Sequence, residues 1–354
     1  MLSDAFLTRQ TQQTDFSGAS RRRGPKIKRG MEILEGPYPK SFADFIGQGK
    51  AVAQIGAAIA SATVLHEPMG HMLLASGYPG VGKTALARLT AFKMDVGMVE
   101  LSGLVSDKDA AAALKVLRDG DVLLIDEIHR LVGYGKSRAE WLLTLLQDGE
   151  LHMPTGVIQA PRITVIAATT DKEKLPQTIL DRFTVQPILE PYSAQEGVQI
   201  GVLAARRLGF GDHLPMPPTN DWLVAVTRAA KNNPRRIGQL LSTVRDVALS
   251  SECANLTDAG YDITQALDWN GLTEDGITRS GQDYLISLLA YGGMAGLASI
   301  KALLNEEQLV HTERELIQEG FVAVTARGRM LTEYGEERAV QLTSDRVEDR
   351  SDTD

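Results

Sequence analysis

The stretch Gly77-Tyr78-Pro79-Gly80-Val81-Gly82-Lys83-Thr84 fits the pattern G-x-x-x-x-G-K-[ST] in full. It follows a short apolar run, His71–Ser76, and opens a helical segment, Thr84–Phe92. That strand–loop–helix context is what the pattern requires. Gly77, Gly80 and Gly82 let backbone N–H groups curl around phosphate oxygens, and the helix N-terminus adds a favourable dipole. Lys83 is placed to reach the β- and γ-phosphates of a nucleotide, and Thr84 to hold Mg2+. The expected cofactors are ATP and Mg2+.

Working outward, Asp121-Val122-Leu123-Leu124-Ile125-Asp126-Glu127 sets four apolar residues ahead of two carboxylates. This reads as a central strand delivering acids to the edge at which open parallel sheets bind ligands. Asp126 is expected to order the Mg2+ shell, and Glu127 to polarise the attacking water as a general base. A second buried-type strand, Ile163–Ala168, leads to Thr169, the candidate for orienting that water. In Leu180-Asp181-Arg182-Phe183, Arg182 is expected to project from one subunit into the next subunit's site and stabilise transition-state charge. Asn233-Pro234-Arg235-Arg236 starts a later helix, where Arg235 is the candidate contact to the γ-phosphate. Two residues are set aside. His129 is expected to pack or serve an interface, and Cys253, with no base nearby in the sequence, to be inert.

The rest of the chain sorts by pattern. Helical and strand patterns alternate from Phe42 to Pro191, and the near-continuous apolar strands imply a parallel sheet covered on both faces. Val198–Arg207, Asp221–Ala230 and Pro234–Leu249 read as three helices without a comparable strand run. Ser280–Arg338 reads as two or three helices followed by Phe321–Val324, a glycine turn and Met330–Thr332. Helices closed by a small hairpin suggest a winged helix. The expected divisions are a flexible basic tail (1–35), an α/β nucleotide domain (36–191), a helical lid (192–267), a winged-helix domain (268–340) and an acidic tail (341–354). Arg21, Arg22, Arg23, Lys26, Lys28 and Arg29 read as a solvated arm, with non-specific phosphate contact as the alternative.

Composition limits the partners. Lys plus Arg number 37 and Asp plus Glu 45, so the net charge is 37 − 45 = −8. A whole-chain basic footprint for nucleic acid is absent, and DNA contact must come from a local patch. One cysteine rules out an internal disulfide framework. No apolar run approaches the roughly 18 residues of a membrane span. No membrane partner is expected, and a cytoplasmic location is.

Phosphate loop, Asp-Glu strand, sensor strand, Asp-Arg-Phe and Pro-Arg, in this order, resemble an AAA+ ATPase. Gly120–Leu131 and Ile166–Thr170 more closely resemble the RuvB family of Holliday-junction branch-migration motors. Ser41–Gln48, Gln318–Phe321 and Arg327–Met330 add to the likeness, which spans residues 37–338. The winged-helix match favours this family over clamp loaders and helicase loaders. The resemblance implies a homo-hexameric ring, ATP hydrolysis at subunit interfaces, and movement on duplex and four-way junction DNA. It maps nucleotide contacts onto Gly80, Lys83, Thr84, Arg182, Tyr192 and Arg235. Arg327 and Arg329, on the glycine turn, are the candidate DNA contacts; they would touch backbone and carry no base code.

The chain also departs from the family. It has Pro37-Tyr38-Pro39 where relatives carry Leu-Arg-Pro, and Val324 where a second wing arginine is usual. The Asp148–Arg162 segment is shorter than the family's partner-binding hairpin, and Pro154, Gly156 and Pro161 are expected to limit its ladder. A standard grip on a RuvA-like protein is therefore expected to be weak, or replaced by a surface around Val157 and Ile158. The helix before the wing, carrying Glu306, Glu307, Glu313, Glu315 and Glu319, is expected to repel phosphate. The competing readings are an AAA+ loader or remodeller with a protein client, and a nucleotide-gated DNA-binding scaffold.

Overall fold

The computed structural model describes residues 25–351 except 37, 134–135, 218, 251–255, 258–259 and 302–305. The expectations for Arg21, Arg22, Arg23 and Cys253 lie outside the described residues. Two compact units divide the chain. One comprises residues up to Glu35, Ala53–Ala75 and Leu86–Pro187; the other comprises Gly36–Val52, Ser76–Ala85 and Ile188 onward. The phosphate loop thus groups with the lid residues.

The first unit holds strands β1 (Met72–Ala75), β2 (Met98–Ser102), β3 (Val122–Asp126), β4 (Glu150–Met153), β5 (Gly156–Gln159) and β6 (Thr164–Thr169). It takes in most of helices α1 (Gly49–Leu65) and α2 (Lys83–Lys93), with α3 (Asp107–Leu114), α4 (His129–Gly133), α5 (Lys136–Asp148) and α6 (Gln177–Leu180). Four strands form a parallel sheet in the order β1-β6-β3-β2. Val122 to Ile125 are buried to the last side chain, as a strand covered on both faces requires. Leu123, Ile125, Val165 and Ala167 join Trp141, Leu142 and Leu145 of α5 in one core. Because β3 and β6 are neighbours in register, Ile125 opposite Ala167, the acids at the end of β3 emerge beside the threonines at the end of β6.

The described parts of the two expected tails, 25–35 and 341–351, carry regular structure. Lys28 pairs antiparallel with Met98 along the sheet edge, Ile27 packs against the core, and Ile33 and Leu34 are buried. Arg29 donates to both oxygens of Asp121, at 3.1 and 2.8 Å. The reason is the buried Asp121 carboxylate, which also accepts the N–H groups of Gly97 and Arg118 and still needs a cation. Arg29 is therefore a structural partner and not a free phosphate contact. At the other end, the helix containing 341–351 continues from Glu333; Leu342 is buried and Arg346 pairs with Asp283.

The β4–β5 hairpin is short, as expected, but its ladder is regular from Glu150–Gln159 to Met153–Gly156. Pro154 sits in the two-residue turn, where no ladder N–H is needed, so it does not interrupt pairing. Ile158 turns toward the core while Val157 is 59% exposed. The expected apolar surface around both residues is reduced to Val157.

The second unit contains the lid helices α7 (Ala194–Arg207), α8 (Asp221–Ala229) and α9 (Pro234–Ser250), a two-stranded pair β7 (Leu256–Thr257) and β8 (Gly260–Tyr261), and α10 (Thr264–Trp269). Ser193 and Glu196 close a reciprocal cap on α7. Phe210, Trp222 and Tyr261 pack ring against ring in the lid core. The winged-helix part follows: α11 (Arg279–Ala290), β9 (Met294–Ala295), α12 (Leu297–Lys301), α13 (Glu306–Gln318), β10 (Val322–Thr325), β11 (Gly328–Leu331) and α14 (Glu333–Ser351). Its antiparallel sheet runs β10-β11-β9.

Candidate nucleotide site

In the second unit the phosphate loop is shaped by its glycines and held by lid residues. Gly80 and Gly82 have φ of +77° and +98°, a region that disfavours a side chain. A Cβ at Gly80 would collide with the Asn233 amide, and one at Gly82 with the Phe45 ring. The Lys83 ammonium is buried and donates to the Tyr78 carbonyl at 3.1 Å. Tyr192 lies against the same loop and donates its hydroxyl to the Val81 carbonyl at 3.0 Å. Burial pushes the Tyr192 pKa up to about 12, so the hydroxyl stays a donor across the physiological range.

Asn233 joins the loop to α9. Its Nδ2 donates to the Pro79 carbonyl at 2.8 Å. Its Oδ1 accepts from the N–H groups of Arg235 and Arg236, capping the helix that Pro234 begins. The two arginines then differ: Arg235 is exposed, whereas the Arg236 guanidinium is bonded to Glu315 on α13.

In the first unit Asp126 ends β3 and Glu127 follows it. The Glu127 N–H donates to Asp126 Oδ1 at 3.0 Å. Glu127 has φ of +53°, a left-handed conformation costly for a side-chain residue. Gly103 permits it, because a Cβ there would meet the Glu127 carbonyl oxygen. The Glu127 carboxylate accepts the Thr170 hydroxyl at 3.2 Å, and His129 Nδ1 lies 3.2 Å from the same oxygen. Thr169, fully buried, meets His129 Nδ1 at 3.0 Å and accepts the Asp171 N–H at 3.0 Å. The hydroxyl expected on Thr169 for the water-orienting task is thus committed to His129 and Asp171, and Thr170 is the threonine that reaches Glu127. The signal was available: the last residue inside a doubly covered strand points into packing, and the next one leaves it. His129, set aside as a packing residue, contacts the proposed base. Arg182 is exposed and donates to Gln147 at 2.9 Å, with the buried Phe183 anchoring the turn.

The wing separates its two arginines. Arg327 is exposed at the turn. Arg329 donates through Nε and Nη2 to Glu313 Oε1, at 2.9 and 2.6 Å, and is about four-fifths covered. It is not presented as a free DNA contact, because α13 packs against β10 and brings Glu313 to it. The acidity of α13 and the residue after it also gains a use: Glu313, Glu315 and Glu319 pair with Arg329, Arg236 and Lys231.

Residues 38–189 match the family model of the Holliday junction DNA helicase RuvB P-loop domain, and residues 274–338 that of the RuvB C-terminal winged helix domain. The chain is 30% identical to the Holliday junction branch migration complex subunit RuvB of Rubrobacter xylanophilus, covering 94% of this chain and 95% of that protein. It is 36% identical to the corresponding Gluconobacter oxydans subunit, over 84% and 86%. The solved Thermotoga maritima RuvB Holliday junction branch migration motor has a similar structure, with a TM-score of 0.73, 28% identity, and coverage of 85% of this chain and 97% of that one.

Proposed function

The chain belongs to the RuvB family of AAA+ ATPases, and on that premise we propose that it is an ATP-driven motor that moves duplex DNA and migrates Holliday junctions. The observation that carries this reading is the presence, in one chain, of an intact phosphate loop, an Asp126–Glu127 strand end and a winged helix matched to the family. The winged-helix match sets the loader reading aside. Lys83 and Tyr192 act on the loop, Arg235 is exposed at the start of α9 and is the proposed γ-phosphate contact, and Glu127 is the general base. Thr170, by its bond to Glu127, fits the water-orienting role better than Thr169. Arg182, exposed and bonded to the neutral Gln147 amide, suits a finger acting on a neighbouring subunit.

The Thr84 hydroxyl and the Asp126 carboxylate are each oxygen donors, the kind that Mg2+ takes, and each is proposed as a ligand from its own unit. When bound, the ion supplies charge neutralisation at the phosphates. The ring is proposed as a homo-hexamer, with Arg327 contacting DNA backbone. No helix among the described residues is long and apolar enough to cross a membrane, and the proposed location is the cytoplasm. A RuvA-like partner would meet a short hairpin exposing Val157 alone of its apolar pair.

Branch migration of a synthetic four-way junction, with and without RuvA, tests the reading. Wild type should migrate the junction with ATP, and Glu127→Gln should bind ATP yet barely turn it over. A full chain whose ATP turnover ignores junction and duplex DNA would overturn the motor assignment.

A further inference from the structure

His129 sits where the acidic strand end meets the sensor strand. Its ring is 12% exposed. Its Nδ1 faces two oxygens at nearly equal range, Thr169 Oγ1 at 3.0 Å and Glu127 Oε2 at 3.2 Å, while Nε2 lies 3.7 Å from Asp171 Oδ2. Thr169 Oγ1 already accepts the Asp171 N–H, which leaves it one hydrogen to donate and one lone pair to offer. Burial holds the His129 pKa below the usual histidine value, against the pull of Glu127 and Asp171 in the other direction, with Lys174 and Arg130 adding to the lowering. A neutral ring carries a single N–H, and Nδ1 is then either a donor or an acceptor.

The two tautomers treat Glu127 differently. With the proton on Nδ1, the ring donates to the Glu127 carboxylate, a charge-assisted bond that fixes the oxygen. With the proton on Nε2, directed to Asp171, Nδ1 accepts the Thr169 hydroxyl and opposes its lone pair to Glu127. We infer that His129 is the positioning residue for Glu127: its Nδ1 either donates to the carboxylate and clamps it, or accepts from Thr169 and lets it go. This rests on the ATPase reading above and adds to it a residue that acts through the Glu127 carboxylate.

Steady-state ATP turnover of the full chain tests the inference. Misplacing a reacting group by about 1 Å can cost roughly 100-fold. His129→Ala should therefore lower kcat by about 10- to 100-fold and leave the KM for ATP within about twofold. His129→Asn places an amide N–H where Nδ1 sits and should recover most of the turnover; His129→Gln, reaching the Nε2 position, should not. In single-turnover reactions of Glu127→Gln, adding His129→Ala should change the residual rate by less than about twofold, since the carboxylate it positions is gone. Equal losses in the two backgrounds, no advantage of Asn over Ala, or a loss confined to KM would each overturn the proposal. A wild type with no ATP turnover would instead sink the ATPase reading itself.

Discussion

Arg327 and Arg329 lie two residues apart, yet one faces solvent and the other faces Glu313. A phosphate contact needs a cation whose release of counterions is not already spent on a carboxylate. Arg327→Ala should weaken DNA binding similarly for unrelated sequences and lower the slope of log affinity against log salt by about 0.9. Its thermal midpoint should stay unchanged. Arg329→Ala should do the reverse. It strands Glu313, whose side chain is 13% exposed, and should cost about 1.5–3 kcal/mol of stability with the salt slope intact. Binding isotherms over a salt series, alongside melts, separate the two. A slope change in the Arg329 variant with unaltered stability would return the phosphate contact to that residue.

At the scale of elements, α9 carries the link between lid and loop at its first turn. Asn233 performs two tasks there, and one substitution divides them. Asn233→Asp keeps an oxygen to cap α9 but replaces the Nδ2 donor to Pro79 with a carboxylate. Lid stability should hold, and nucleotide affinity should fall by severalfold through loss of the tie and repulsion of phosphate. Asn233→Ala should lose the cap as well, at about 1 kcal/mol. Nucleotide titration and thermal melts of the two variants check this; equal stability losses would make the cap irrelevant. The sequence carried these elements where chemistry demands residue types at fixed spacing: the phosphate loop, the two acids after an apolar strand, the capped Asn-Pro-Arg start. What it did not carry were pairings set by tertiary approach. Nothing local joins Arg29 to Asp121 across 92 residues, or marks Arg329 as the partner of Glu313. The β4–β5 hairpin shows the converse error: Pro154, read as a ladder breaker, falls at a turn that suits it, and Pro161 lies past the end of β5.

Across the whole second unit, the lid and the winged helix are joined by charge. Lys231 bonds Glu319 and Arg236 bonds Glu315, the second carboxylate on α13 and the first just past its end. Burial raises the Glu319 pKa, Lys231 and Arg236 oppose that, and Glu315 adds to it. An acid with a raised folded pKa binds more protons folded than unfolded. The stability this supplies is present below the unfolded value, near 4.5, and is lost as pH rises through the folded value. Glu319→Gln removes that loss, so its melting midpoint relative to wild type should climb with pH through the mildly acidic range and then level. A difference independent of pH would mean that Glu319 titrates normally. The Arg236–Glu315 pair carries the other half of the joint, and it lies one residue from Arg235. A nucleotide-driven shift at the start of α9 would therefore be transmitted to α13 and the wing. Arg236→Glu and Glu315→Arg should each weaken DNA stimulation of ATP turnover, because each sets like charges face to face across the joint. The double variant restores opposite charges in reversed order and should regain stimulation, with a coupling of about 1 kcal/mol in a melting cycle for a partly exposed pair. If the double variant is no better than the worse single one, the joint does not carry the signal, and communication between nucleotide and wing must run through contacts other than these two side chains.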